Sequence, residues 1–179
     1  MPWARRPPPG PEPVRRPALD YLEALAPYEV TAGDSVFTPR VFLYMKQGRV
    51  EIHLNVVEAP LMSATFLDLA RRGYFDGLTF HRVVPGFVVQ GGDPRGDGNG
   101  GPGFALRDEI GERPYGRGVV GMALSGKGHG RQPALRHPRP APHLDGRYTV
   151  FGWVASGMEV VDKIRPGDVI EKVEAWTGR

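Results

Sequence analysis

The chain has 179 residues, enough for one well-buried domain with an appendage and too few for two full domains. It has no cysteine, which excludes a disulfide scaffold, a thiol nucleophile and a cysteine metal site, and its 25 glycines and 19 prolines suit a turn-rich β protein rather than a helical bundle. The net charge of +3 sits in residues 1–17, where Arg5, Arg6, Arg15 and Arg16 face Glu12 alone, so the formally neutral remainder offers no electrostatic footprint for nucleic acid.

Residues 1–35 read as a proline-rich linker or tail, because proline fixes φ and removes a backbone donor; residues 36–179 read as the folded domain. A short helical turn is expected at 19–25. Residues 41–45 and 50–54 alternate around Lys46-Gln47-Gly48-Arg49, a hairpin pattern. Pro60 opens the clearest helix, with Leu61, Ala64, Thr65, Leu67, Leu69 and Ala70 at helical spacing and Gly73 at its close. Two β-rich runs, 80–84 and 87–89, are divided by Pro85-Gly86, which brings Arg82 and Gln90 within reach of Phe87 and Val88. One arginine and one glutamine on an otherwise apolar wall suit a site that binds an apolar ring and polarises one bond. A glycine-rich loop at 91–103, strands at 119–123 and 148–154, a helix at 158–164 and a last strand at 169–176 complete a mainly β domain with two helices.

Other patterns are weak. Residues 96–101 satisfy GxGxxG but precede no helix that could cradle a phosphate. Asp93, Asp97 and Asn99 lack the register of an EF-hand loop, Ser125 is not in a GxSxG elbow, and nothing places His129, His137 and His143 on one face for a metal. No apolar run approaches the roughly 20 residues of a membrane span. The N-terminus lacks the apolar stretch of an export signal, so a cytoplasmic protein is expected.

The run FHRVVPGFVVQGGD at 80–93, followed by GNGGPG, GVVGMALSG and HLDGRYTVFG, closely resembles the signature of the cyclophilins, and the likeness extends over 40–176. The resemblance implies a closed eight-stranded barrel with two capping α-helices and peptidyl-prolyl cis-trans isomerase activity without a cofactor. The implied partners are proline-containing peptides and unfolded proteins, met by a monomer. Arg82 matches the family's catalytic arginine, Phe87 its proline-pocket aromatic, Val88 a pocket position usually held by methionine, and Gln90 a polar orienter of the substrate. Met122, Ala123 and Leu124 match the groove-lining strand, with Leu124 in place of the asparagine of many members. His143 stands where many eukaryotic members carry tryptophan, a bacterial-type variation that implies weak cyclosporin binding. Leu144 matches the pocket leucine, and Tyr148 stands where others have histidine.

Between Gly126 and His143 the likeness lapses although the length is kept. Where the family has a stretch like DTGGSQFFITHSPQP, residues 128–142 read GHGRQPALRHPRPAP. Arg136, His137, Pro138, Arg139 and Pro140 are not expected to form a buried strand, since prolines remove ladder donors and two cations would enter the core. Aligned on the motif, Pro133 takes the position of a substrate-binding glutamine and Leu135 that of the pocket-floor phenylalanine. A one-base shift of reading frame is compatible with Thr-Gly-Gly-Ser-Gln-Leu-Phe-Val-Thr over 129–137, which restores the motif in place. An isomerase is expected, the alternative being a catalytically weak Pro-peptide-binding module or an isomerase impaired by this window.

Overall fold

Side chains that alternate strictly along a strand divide it into a core face and an outer face, and the first two strands do so. In β1 (Arg40–Met45) Val41, Leu43 and Met45 are buried, and in β2 (Gly48–Leu54) Val50, Ile52 and Leu54. The two are antiparallel, with Met45 opposite Gly48, so the turn is tighter than the four residues expected. Gly48 has φ 134, and a Cβ there would lie 2.9 Å from Val160. Glycine is therefore required on two counts.

The structure, a computed structural model, describes residues 38–98, 100–102, 106–124, 130–136 and 146–176. The expected tail at 1–35 and the helical turn at 19–25 lie outside them. After β2 come helix α1 (Pro60–Arg71), β3 (Arg82–Val84), β4 (Val88–Gln90), β5 (Val119–Leu124), β6 (Gly130–Arg136), β7 (Val150–Ser156), helix α2 (Met158–Val161) and β8 (Lys172–Trp176). Among the described residues no helix is long and apolar enough to cross a membrane.

The eight strands form one antiparallel sheet in the order β3-β4-β6-β5-β7-β2-β1-β8. The closed barrel implied by the resemblance is not realised as a continuous ladder, because β3 and β8 remain edges. The segments leading into those edges do meet: Phe80 N donates to Asp168 O at 2.9 Å, Ile170 N to Leu78 O at 2.8 Å and Gly167 N to Phe80 O at 2.9 Å, around a bridge between Thr79 and Val169. The sheet curls around a core in which Phe66 of α1 stacks on Phe75 and Phe151 at 4.9 and 5.2 Å between ring centroids.

Helix α1 begins at Pro60 as expected, yet its N-cap residue, Ala59, offers no side-chain acceptor. Glu109 supplies one instead, accepting from Leu61 N and Met62 N at 3.0 and 2.9 Å. A carboxylate at this end also favours the positive pole of the helix dipole. Thr149 Oγ1 holds Glu109 through its backbone amide at 2.8 Å.

Strand β6 was not expected from residues so rich in proline and arginine. Its chain is nonetheless paired on both sides, with β4 and with β5. Met122 N donates at 3.0 Å to the carbonyl of Thr149, the residue just before β7, so the backbone polar groups of Met122 face the β7 side and its pairing with Pro133 is of the non-hydrogen-bonded kind. The nitrogen of Pro133 is thereby directed to the β4 side, where β4 has already ended at Gln90, opposite Ala134. The proline falls at a place in the ladder where no donor is needed.

Candidate active site

Arg82 and Gln90 stand opposite each other across the β3–β4 hairpin, with Val83 opposite Val89 and Val84 opposite Val88. Gly86, with φ 73, closes the turn, and Phe87 N donates to Val84 O at 3.0 Å. Alternation puts Val89, fully buried, on the core side and Arg82, exposed, on the outer side. Arg82 Nη1 donates to Gln90 Oε1 at 3.5 Å, and among the described residues no carboxylate forms an ion pair with the guanidinium. A cation steadied by a neutral amide keeps both its charge and further N–H donors for a ligand.

The turn of the same hairpin carries Phe87 into an apolar wall. Phe87 and Tyr148 pack against a small cluster of Tyr115, Val119 and Val150, separate from the main core, and Val88 is buried beside them in sequence. The structure thus brings Arg82, Val88 and Gln90 into one hairpin and Phe87 together with Tyr148.

The remaining expected positions are distributed differently. Ala134 is opposite Gln90 and so in the row of Arg82, whereas Arg136 is opposite Val88, in the row of Val84. Leu135, expected at the pocket floor, is opposite Val89 and Val120, both members of the main core. Met122, expected in the groove, is 7 % exposed and packed in the main core. Ala123 and Leu124 lie on β5 opposite Gln132 and Gly130, with a bulge between them. His143 and Leu144 lie outside the described residues.

The loop after Gln90 is fixed by a buried anion. The Asp93 carboxylate, 1 % exposed, accepts from the amides of Arg95, Asp97 and Gly98 at 2.8, 3.0 and 2.6 Å. Burial alone would raise its pKa, but the amides of Arg95, Gly98 and Gly100, with His81 nearby, outweigh burial and hold it below the ordinary carboxylate value. In the sequence Asp93 fits no EF-hand register; its signal is that of an aspartate ahead of a glycine-rich loop whose amides can turn inward. Tyr115, packed with Phe87 and Tyr148, has no such signal. Among the described residues no group of three or more His, Cys, Asp or Glu could hold a metal ion.

A mainly β sheet with two helices and an arginine beside an apolar wall defines a class that comparison with known proteins identifies. Residues 40–177 match the family model of the cyclophilin type peptidyl-prolyl cis-trans isomerase/CLD. A peptidyl-prolyl cis-trans isomerase of Helicobacter pylori is 37% identical over 156 residues, covering 85% of this chain and 96% of that protein. Peptidyl-prolyl cis-trans isomerase B of Bacillus subtilis is 43% identical over 134 residues, covering 74% and 94%. The crystal structure of a Cryptosporidium parvum cyclophilin type peptidyl-prolyl cis-trans isomerase aligns with TM-score 0.73 and 28% identity over 80% of this chain and all of that one. A second structure of the same Cryptosporidium protein, in the presence of the dipeptide Ala-Pro, aligns with TM-score 0.69 and 29% identity, covering 75% and 96%.

The chain belongs to the cyclophilin-type peptidyl-prolyl cis-trans isomerases, and it is an enzyme of that activity.

Proposed function

We propose that the chain accelerates rotation about X-Pro bonds of peptides and unfolded proteins on the outer face of β3, β4, β6 and β5, with Arg82 as the catalytic donor. The observation that carries this reading is the exposed Arg82 guanidinium, bonded to the Gln90 amide in the hairpin whose turn leads through Phe87 into Val88. The uncatalysed barrier, about 18–20 kcal/mol, is that of breaking amide resonance. It requires no proton transfer, covalent intermediate or cofactor. As the bond twists, the prolyl nitrogen pyramidalises and gains basicity, so a fixed donor there stabilises the transition state more than either planar isomer.

Phe87 and Tyr148 hold the proline ring, Gln90 orients the peptide backbone, Ala123 and Leu124 of β5 extend the groove, and His143 and Leu144 are carried over as substrate-binding residues by the family resemblance alone. The Ala-Pro dipeptide used with the Cryptosporidium protein is the minimal ligand of this chemistry. Residues 36–179 are proposed as the isomerase domain, a monomer whose sheet closes into a barrel through the contacts around Thr79 and Val169, and residues 1–35 as a linker. The test is the rate of cis–trans exchange in an X-Pro tetrapeptide. Acceleration that scales with enzyme concentration supports the reading, and exchange at the spontaneous rate overturns it.

A further inference from the structure

The wall of the site rests on a tyrosine that no motif singles out. Tyr115 is 4 % exposed, lies with Val119 and Val150, and has its ring 6.0 Å from that of Tyr148 at 74°, an edge-on arrangement. Phe87 packs on the same cluster. The Tyr115 hydroxyl donates to Thr149 O at 3.3 Å, the oxygen that also receives Met122 N. Beneath that hydroxyl is Gly121. A Cβ at position 121 would run into Tyr115 Oη and come within 3.0 Å of Thr149 O.

Gly121 is not among the glycines with positive φ, so backbone conformation does not demand it. The space taken by the end of the Tyr115 ring and by Thr149 O does. Gly121 is also opposite Ala134, Ala134 opposite Gln90, and Gln90 opposite Arg82. One lateral row therefore runs from the catalytic candidate to the residue on which Tyr115 sits.

We propose that Tyr115 is a positioning residue of the isomerase site, which sets the placement of Phe87 and Tyr148 and so the fit of the proline ring, and that Gly121 is the space that admits it. This rests on the isomerase reading above. Tyr115 acts through its two aromatic neighbours and makes no contact with the rotating bond. Disturbing it changes substrate affinity and leaves the Arg82 donor in place.

The experiment compares the wild type, Gly121→Ala, and the double variant Gly121→Ala with Tyr115→Phe, measuring KM and kcat for an X-Pro tetrapeptide well below each melting temperature. Gly121→Ala is expected to raise KM about fivefold or more with kcat within about twofold, the signature of lost ground-state and transition-state binding alike. Removing the hydroxyl in the double variant is expected to recover part of that rise, because the Cβ still meets Thr149 O and the end of the ring, a coupling between the two positions that two independent losses do not produce. Tyr115→Leu, which keeps an apolar side chain in the cluster, is expected to raise KM as well. Folded variants whose KM stays at the wild-type value, or a double variant no better than Gly121→Ala, overturn the proposal while the isomerase reading stands. A wild type without turnover overturns both.

Discussion

Leu135 stands opposite Val89, one residue out of step with Ala134, which stands opposite Gln90. The row of Arg82 therefore meets Ala134, whereas the frame-restored motif carries its glutamine and phenylalanine at 133 and 135. Replacing Gly128 to Pro142 by Asp-Thr-Gly-Gly-Ser-Gln-Leu-Phe-Val-Thr-His-Ala-Pro-Arg-Pro should slide β6 by one residue, bring the new glutamine opposite Gln90, and raise isomerase turnover. Cross-strand nuclear Overhauser contacts report the register and tetrapeptide exchange the activity. Unchanged turnover with the new glutamine still off the row of Arg82 counts against the account.

Arg82→Ala removes the one donor proposed to act on the prolyl nitrogen. Turnover should fall by about a hundredfold or more. Because Arg82 is exposed and forms no ion pair among the described residues, the melting temperature should barely move. A folded variant with wild-type turnover would remove Arg82 from the mechanism.

Phe87→Ala takes the ring from the apolar wall. Phe87 is only partly buried, so the stability cost should stay below the roughly 3–5 kcal/mol of a core phenylalanine, while affinity for a Pro-peptide weakens. Calorimetric titration with the peptide separates the two effects, and equal affinity would locate the proline pocket elsewhere.

Pro133 and Ala134 should respond oppositely to exchange. Pro133→Ala should change stability by less than about 1 kcal/mol, because its nitrogen is directed past the end of β4. Ala134→Pro should cost about 1–3 kcal/mol, since the amide at 134 faces Gly121 and its loss strands an acceptor. Urea unfolding of both variants measures this, and equal costs would mean that the strand is rotated from the pairing described.

Asp93 predicts an acid limb of stability. Its folded pKa lies below the ordinary value of 3.8, so the unfolded chain binds the proton first as pH falls. The stabilisation is fully present above that value and is lost as pH drops through the folded pKa. Asp93→Asn should be less stable at pH 7, and its melting temperature should fall less steeply than the wild type's between pH 4 and pH 2, conditions chosen to span the roughly 3.9 of a free aspartate. Parallel curves for the two proteins would contradict this.

Much of the architecture was legible because apolar positions repeat at the period of their element: every second residue in β1 and β2, every third or fourth in α1. Arg82, Phe87, Val88 and Gln90 were legible for a similar reason, since a three-residue hairpin around Pro85-Gly86 admits few arrangements. Strand β6 was not, because GRQPALR carries neither period and its conformation is imposed by β4 and β5 on either side. Tyr115 and Glu109 were invisible for a different reason: their partners, Tyr148, Gly121, Leu61 and Met62, are remote in sequence or meaningful only once β5 and β7 are adjacent.

The Glu109 cap orders events in time. Helix α1 is complete in sequence by Arg71, yet the acceptor for its first amides arrives 38 residues later and is itself held by Thr149, after a further 40. During synthesis the helix must wait with its leading end open, and the closure of a long loop precedes its completion. A nascent chain arrested before Thr149 should therefore show a frayed α1 start, and the last strands to emerge should lock the first helix that formed.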